Sequence, residues 1–266
     1  MAVNQESLSQ FSRSEGWLGT PSRFVFQSTV TSTHDVLRDL AEHGAPEGTV
    51  VLAESQTAGR GRLGRRWVTP PGNALLLSVL FRPPEPFLTY APRLLMLCGL
   101  ALREAVAAVT GMLPALKWPN DLIVEHGEQW RKLAGILAEI GVVAGEAPFL
   151  MVGVGLNVAI PAVQLPLVSP AATSLLVELG RPVDRAALLG AFLQRLEGSY
   201  ERLCAGWNPL PEWRAALAWM GREVMVKAPS GDVCGVATDV LDDGTLVLQT
   251  ANGVAHFPVG DVSLRI

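Results

Sequence analysis

An apolar run at residues 75–80 restricts the fold of this chain more than any other segment. Five of its six residues are leucine or valine, and Pro83 and Pro84 stop the run soon afterwards. A strand that is apolar on both faces must be covered on both faces, since neither can be left in water. We therefore predict a central strand in a layered domain.

Helical and strand patterns surround this strand. Apolar residues in 94–109 recur at helical spacing, with Arg103 and Glu104 off the stripe, and 185–203 has the spacing of a second long helix. Ser32 or Thr33 is a suitable N-cap for a shorter helix. Further strands are predicted at residues 24–26, 50–52, 122–124, 133–140 and 150–158. Together these elements predict an α+β domain.

The pattern changes after Gly221, where short alternating segments begin. Asp243-Gly244 and Asn252-Gly253 are strong hairpin signals between strands predicted at residues 224–227, 233–240, 246–250 and 254–258. This predicts a small all-β domain of barrel type. We therefore divide the chain into a flexible tail at 1–22, a main domain at 23–219 and a β domain at 220–266.

Composition excludes several classes of protein. Hydrophobic residues make up 49% of the chain and charged residues 17%, and the net charge of −4 provides no general attraction to DNA or to anionic membranes. The three cysteines include no CxxC pair. The N-terminus lacks a secretory signal, and the most apolar stretch, 94–109, is too short to span a membrane. We expect a cytoplasmic protein.

The segment GRGRLGRRW, residues 59–67, carries the strongest chemical signal. Its glycines match GxGxxG after a strand, but Trp67 and the prolines that follow cannot open the helix that a dinucleotide-binding fold requires. What remains is a loop whose backbone N–H groups and arginines bind an anion. A solvated basic loop or a nucleic-acid contact fits this segment alone about equally well.

Three later segments place polar residues at turns or strand ends. KWPND (117–121) brings Lys117 and Asp121 around a proline turn, which suits a phosphate with Mg²⁺ or, equally, a structural turn with a surface ion pair. RKLAGILAE (131–139) places Lys132 at the start of an apolar strand. For this segment alone, a charged strand end is a better interpretation than a functional lysine. GVGLNV (153–158) places Asn157 at a strand end, where its side-chain amide can hydrogen-bond to the edge of a nucleotide base or close a turn.

In this order, the segments resemble the catalytic domain of the biotin protein ligase family. The resemblance runs from about Phe24 to the C-terminus and includes STH (32–34), ESQTAGRGRLGRRW (54–67), KWPND, RKLAGIL and GVGLNV. It implies a class II synthetase-like domain with a mixed sheet and flanking helices, followed by an SH3-like β-barrel. Several separated motifs in one order are not expected by chance.

The resemblance implies an ATP-dependent ligase. Biotin's carboxylate attacks the α-phosphorus of ATP to form biotinyl-5′-AMP and pyrophosphate. A lysine of a biotin carboxyl carrier protein domain, in acetyl-CoA carboxylase or a related carboxylase, then attacks the mixed anhydride. The positions implied to be catalytic are Lys132, Arg60, Arg62 and Lys117, and Asp121 is implied to handle Mg²⁺. The positions implied to contact biotin or the nucleotide are Ser32, Thr33, His34, Gln56, Gly59, Arg60, Gly61, Arg62, Trp67, Lys132, Gly135 and Asn157.

The chain departs from the family pattern in two places. His34 stands where the family commonly has Asn, so a hydrogen bond from this side chain to biotin does not follow from the resemblance. Residues 160–173 contain no aromatic residue, whereas some members cover adenine with a tryptophan there. About 22 residues precede the resemblance, too few for a winged-helix domain, so we expect the monofunctional form without sequence-specific DNA binding. A homodimer is compatible with the sequence.

Two other functions fit parts of the pattern. A lipoate ligase or octanoyltransferase shares the implied fold, but GRGRLGRRW stands where lipoyl enzymes are expected to have a glycine triplet. A biotin-binding module without turnover would keep the cavity but would not need Arg60, Arg62, Lys117 and Lys132 together. We therefore predict an active biotin ligase.

Overall fold

The computed structural model describes residues 16–84, 90–143, 145, 147–228, 231–259 and 263–265. Within these residues the main domain is built on a seven-stranded mixed sheet in the order β1-β2-β3-β7-β6-β5-β4. The β1–β2 pair is parallel, and the other pairs of this sheet are antiparallel. Its strands are Phe24–Val30 (β1), Val50–Gln56 (β2), Ala74–Phe81 (β3), Ala115–Lys117 (β4), Asp121–His126 (β5), Gln129–Gly141 (β6) and Phe149–Asn157 (β7).

Helices cover both faces of the sheet. They are Thr33–Glu42 (α1), Tyr90–Thr110 (α2), Leu165–Val168 (α3), Leu175–Leu179 (α4), Arg185–Cys204 (α5) and Leu210–Ala216 (α6). Leu37 and Ala41 of α1 pack with Leu80 on one face, while α2 and α5 pack on the other. Because β3 is buried along its whole length between these layers, the prediction of a central strand is confirmed, as is the α+β mixed sheet with flanking helices.

The C-terminal domain is a five-stranded antiparallel sheet in the order β11-β10-β9-β8-β12. Its strands are Glu223–Ala228 (β8), Gly231–Val240 (β9), Leu246–Thr250 (β10), Gly253–Phe257 (β11) and Ser263–Arg265 (β12). Gly244 and Gly253 have φ values of 84° and 112°, which only glycine adopts readily, so both predicted hairpins form where the dipeptides place them.

The two domains share one hydrophobic core. Val224 and Val226 of β8 belong to the same buried cluster as the leucines of α2 and α5. The indole Nε1 of Trp118, just after β4, donates to the Gly244 carbonyl of the β domain at 2.9 Å. The β domain is therefore packed against the edge of the main sheet that carries β4.

The predicted tail at 1–22 is wrong for the part of it that packs on the main domain. Leu18 is buried, its amide donates to Glu197 Oε1 at 2.9 Å, and the Gly19 amide donates to the Gly48 carbonyl at 3.0 Å. These contacts attach the segment to α5 and to the loop before β2. The rest of that prediction, residues 1–15, lies outside the described residues. Among the helices that the structure describes, none is long and apolar enough to cross a membrane.

Candidate active site

A cavity of about 490 Å³ lies where α1, the loop after β2 and strands β5 to β7 meet. It is lined by most of the residues that the sequence marks as functional, which come from segments far apart in the chain. They are Ser32, Thr33, His34, Gln56, Arg60, Gly61, Arg62, Trp67, Lys117, Asp121, Lys132, Gly135 and Asn157. The sheet topology therefore brings the separate motifs to one place.

Gly59, which the resemblance places near the ligand, is the exception. It does not line the cavity, and its carbonyl accepts a hydrogen bond from the Trp67 amide at 2.9 Å. A Cβ at this position would lie 2.4 Å from the Trp67 carbonyl oxygen and 2.8 Å from Gln56 Nε2. Gly59 is needed because the two ends of the loop pass too closely for any side chain.

One end of the cavity is neutral, polar and tied together by hydrogen bonds. Gln56 Oε1 accepts from the Thr33 amide at 2.8 Å and from the Thr33 hydroxyl at 3.1 Å. The Thr33 hydroxyl also lies 2.8 Å from the hydroxyl of Ser78, a residue that the sequence analysis did not select. Ser32 caps α1 by accepting from the His34 amide. We call Ser32, Thr33, Gln56 and Ser78 the neutral cluster.

His34 is buried beside this cluster. Its Nδ1 lies 2.8 Å from Ser78 Oγ, and its ring packs on the backbone of Gly153, where a Cβ would approach Cε1 to 2.4 Å. Burial first, and then the positive charges of Arg60 and Arg38, lower the pKa of His34 to about 4. His34 is therefore a neutral imidazole at physiological pH.

The other end of the cavity is cationic and includes the loop at residues 59–67. The loop folds back on itself, since the Gly61 amide donates to the Arg65 carbonyl at 2.7 Å, and Leu63 and Gly64 at its tip have φ values of 60° and 67°. Leu63 is 45% exposed. The loop is thus a small hairpin that projects over the cavity, and backbone hydrogen bonds within the loop close it.

Two of the four loop arginines that line the cavity, Arg60 and Arg62, have partners on other elements. Arg60 NH2 lies 2.8 Å from Asp35 Oδ1 on α1 and 3.4 Å from Glu139 Oε2 on β6. Arg62 NH1 donates to Asn120 Oδ1 at 3.2 Å, and the Asn120 amide in turn donates to the Ile136 carbonyl at 2.7 Å. These contacts aim the two guanidinium groups at one cavity.

Lys132 lies on β6, beside Trp67 at the end of the loop. Its Nζ is 2.7 Å from Asp121 Oδ1 and 5.4 Å from the centre of the Trp67 ring. Its backbone is held on both sides, because its amide donates to the Ala171 carbonyl at 2.6 Å and its carbonyl accepts from the Thr173 amide at 2.8 Å. The ammonium group is therefore directed by one carboxylate and one aromatic face.

Trp67 packs flat against the floor of the cavity because two strand residues have no side chain. A Cβ on Gly155 would lie 2.5 Å from Trp67 Cε2, and one on Gly135 would lie 3.0 Å from Cζ3. Trp67 thereby lines the cavity next to Lys132, and it packs on β7 two residues from the glycine that contacts His34.

Two predicted nucleotide contacts are buried. Lys117 is 6% exposed, with its Nζ 5.1 Å from the ring centre of Trp130 and 6.0 Å from that of Trp219. Asn157 Nδ2 donates to the Thr173 carbonyl at 2.9 Å, which leaves Oδ1 without a partner among the described residues. An amide oxygen oriented in this way is suited to accept from an N–H group of a ligand.

Comparison with known proteins shows the family. A profile described as the Biotin/lipoate A/B protein ligase family matches residues 25–157, and one described as the Biotin protein ligase C terminal domain matches residues 220–265. The biotin--[acetyl-CoA-carboxylase] ligase of Mycobacterium tuberculosis is 37% identical over 248 residues, 90% of this chain and 87% of that protein. The chain belongs to the biotin protein ligase family.

Further relatives agree with this assignment. The bifunctional ligase/repressor BirA of Bacillus spizizenii is 31% identical over 243 residues, 90% of this chain and 73% of that protein. A solved structure described as the biotin protein ligase from Aquifex aeolicus in complex with biotin and ATP superposes with a TM-score of 0.75 at 27% identity, covering 91% of this chain and 98% of that one. The resemblance that the motifs indicated is confirmed.

The ligase family leads us to ask whether the cavity fits Mg²⁺. Among the described residues there is no group of three His, Cys, Asp or Glu side chains that could hold a metal ion, and Asp121 already pairs with Lys132. The described side chains therefore do not form a metal site by themselves. A magnesium ion that arrives with the phosphates of a nucleotide needs only one or two carboxylates, so Asp121 stays a prediction.

Several residues of this ligase site were not identified from the sequence. Ser78 and Gly153 hold His34, Asn120 holds Arg62, and Gly155 makes room for Trp67. Ser78 did carry a signal, since it is the single polar residue in the apolar run of β3. The two glycines of GVGLNV alternate along β7, so both face the cavity, which the strand period could have indicated.

Proposed function

We propose that this protein is an ATP-dependent biotin protein ligase that forms biotinyl-5′-AMP and then transfers biotin to a lysine of a biotin carboxyl carrier domain. One observation carries the proposal: a single cavity is lined by a largely buried neutral cluster and by a group of cations. Biotin has the matching composition, with a neutral polar ureido ring at one end and a carboxylate at the other.

The charge of the cavity suits two anionic substrates. Among the described residues that line it, the cations outnumber the carboxylates by six to one: Arg60, Arg62, Arg65, Arg66, Lys117 and Lys132 against Asp121. The chain as a whole has a net charge of −4, so this positive charge is local. Bringing a carboxylate to a phosphate is opposed by their repulsion, and fixed cations remove that opposition.

In the first step, a carboxylate oxygen of biotin bonds to the α-phosphorus of ATP as the bond to the β-phosphate oxygen breaks and pyrophosphate leaves. Lys132, held by Asp121, stabilises charge on the carboxylate and the α-phosphate. Arg60 and Arg62 bind from the loop on the other side. We assign Lys117 to the phosphates and Asn157 to the adenine.

In the second step, the acceptor amine attacks the biotin carbonyl and AMP leaves. The mixed anhydride reacts with water unless the site is covered, and the hairpin at 59–67 is the element placed to cover it. Opening the loop would break its ion pairs with Asp35 and Glu139, whose side chains are partly exposed.

The relatives support the substrates as well as the fold. One is named for ligation of biotin to acetyl-CoA carboxylase, and one solved structure is described as a complex with biotin and ATP. On this basis we propose the biotin carboxyl carrier domain of acetyl-CoA carboxylase, or of a related carboxylase, as the acceptor.

The proposal is tested by measuring pyrophosphate release from ATP with biotin, lipoate or octanoate as the second substrate, followed by mass spectrometry of a purified carrier domain. We expect release with biotin and a gain of one biotinyl group on one lysine. Release with lipoate or octanoate but not biotin would replace the substrate assignment. Biotin binding without release from ATP would show a module that has no turnover.

A further inference from the structure

Ser78 belongs to the neutral cluster but does not itself line the cavity. It is the single polar residue of β3, which the structure describes in full, and its side chain is completely buried (0% exposed). A buried hydroxyl is costly unless it is hydrogen-bonded, and alanine or valine would fill the same core position without that cost. Its two partners, Thr33 Oγ1 and His34 Nδ1, each lie 2.8 Å away.

These contacts form a chain from His34 through Ser78 and Thr33 to Gln56. If His34 Nδ1–H donates to Ser78, then Ser78 donates to Thr33, and the Thr33 hydrogen lies toward Gln56 Oε1 at 3.1 Å. If Ser78 instead donates to His34, then Thr33 donates to Ser78. Each hydroxyl has one hydrogen. In both arrangements the Thr33 hydrogen has an acceptor inside the chain, so Thr33 presents a lone pair to the cavity.

Packing holds the His34 ring in place. The ring lies against Gly153 on β7, where a Cβ would be 2.5 Å from Nδ1, and this contact keeps Nδ1 directed at Ser78. The charged groups around it are Asp35 and Arg38 on α1, Arg60 on the loop and, through both arginines, Glu139 on β6. His34 lines the cavity itself and is also joined to Thr33 through Ser78.

We propose that Ser78 and His34 are positioning residues that keep the Thr33 hydroxyl as a hydrogen-bond acceptor, so that the neutral cluster selects a substrate ring bearing an N–H group. This rests on the proposed function, in which the ureido ring of biotin lies at this end. The cyclic urea has two N–H donors, and a lone pair on Thr33 matches one of them while repelling an oxygen in the same place.

The test compares biotin with its two cyclic carbamate analogues, in each of which oxygen replaces one ureido N–H. Binding is measured by titration calorimetry, and kcat/KM by pyrophosphate release. The wild type is expected to disfavour the analogue whose oxygen faces Thr33. In Ser78→Ala, Thr33 keeps only its longer contact with Gln56 and can turn its hydrogen toward that oxygen. We expect the preference for biotin to fall about tenfold, while KM for ATP is unchanged.

Two further variants separate positioning from general stability. His34→Leu removes the ring nitrogen but leaves Ser78, and should lower the same preference by about threefold, which also keeps the test open if Ser78→Ala folds poorly. Thr49→Val is the control, because the Thr49 hydroxyl is also buried but donates to the Pro46 carbonyl, remote from the cavity. It should change stability without changing the preference.

An unchanged preference in folded Ser78→Ala and His34→Leu would overturn this inference while leaving the proposed function intact. If the wild type neither binds biotin nor releases pyrophosphate with it, both fall together. Calorimetry measures binding of the biotin ring without turnover, so a failure of this inference can be distinguished from a failure of the proposed function.

Discussion

The neutral cluster and the loop at residues 59–67 hold the two ends of the cavity in different ways. Thr33, Gln56 and Ser78 lie on α1, β2 and β3, and hydrogen bonds of 2.8 to 3.1 Å join them inside the core. Arg60 and Arg62, two of the four loop arginines that line the cavity, lie on a projecting hairpin and contact carboxylates and an amide that are partly exposed.

This difference follows from what each end must recognise. A neutral ring is selected by the direction of a few hydrogen bonds, which requires groups that cannot turn. Anions are attracted by charge, which acts over longer distances and tolerates motion, and a covering loop has to open for exchange. The neutral end is therefore expected to determine selectivity and the cationic end the rate.

The largest expected effect is at the cationic end. Lys132→Ala should lower kcat/KM for pyrophosphate release by about a hundredfold to a thousandfold, because a fixed cation facing the reacting groups is lost. The free energy of unfolding should fall by about 1 to 3 kcal/mol, because Asp121, whose side chain is only 14% exposed, loses its partner.

Lys227→Ala is the matched control, because Lys227 also pairs with an aspartate, Asp232 at 3.7 Å, but in the β domain. It should retain the wild-type rate. A wild-type rate in Lys132→Ala would remove this lysine from the mechanism and break the division between the two ends.

At the neutral end, protonation of His34 should weaken the fold. Its pKa is about 4 in the folded protein against 6.5 unfolded, so the unfolded chain binds more protons between these values and stability falls as pH falls. From about pH 7 to about pH 4 the loss is about 3 kcal/mol.

Urea unfolding across this pH range checks the expectation, with His34→Asn expected to lose this part of the pH dependence. His43→Asn serves as the control, because His43 is fully solvated and should leave the effect of His34 in place. The same slope in wild type and His34→Asn would contradict a neutral, buried imidazole.

Trp67 lines the same cavity, and a change that displaces its ring is expected to affect the binding of both substrates. Gly155→Ala places a methyl group 2.5 Å from the indole ring, so we expect a loss of about 2 kcal/mol in unfolding free energy and higher KM values for biotin and ATP alike.

Thermal unfolding and initial rates measure these effects. Gly198→Ala in α5 is the control, since nothing lies within 4 Å of its added Cβ, and it should stabilise the protein by up to about 1 kcal/mol. If only KM for ATP rose in Gly155→Ala, Trp67 would belong to the cationic end alone.

The smallest effect is that of salt. Raising ionic strength from about 0.05 M to about 0.5 M shortens the screening length severalfold, so KM for ATP should rise by about threefold. The preference for biotin over its carbamate analogues depends on short hydrogen bonds and should stay constant. Steady-state rates at several salt concentrations measure both, and equal changes in the two would show that the ends are not separate.

Much of the fold was predictable because its signals are local. Helical spacing within 94–109 and 185–203, the apolar run of β3 and the two glycine hairpins each depend on neighbours in the sequence, and each formed as expected. The three-residue strand Ala115–Lys117 and the short helix Leu210–Ala216 were not predicted, because so few residues show no period. Leu18 was assigned to the tail because a single apolar residue gives no sign of what it packs on.

The sequence by itself determined the chemistry available to this protein: arginines on a glycine-rich loop, a lysine at a strand mouth, and a threonine and a glutamine that can bind a polar ring. Only the tertiary structure decided how these groups are aimed. Asp35 and Glu139 reach Arg60 from different elements, and Ser78 joins His34 to Thr33 across 44 and 45 residues of chain. The physical reason is that hydrogen bonds and ion pairs depend on distance in space, and residues that far apart in the chain meet only when the sheet has formed.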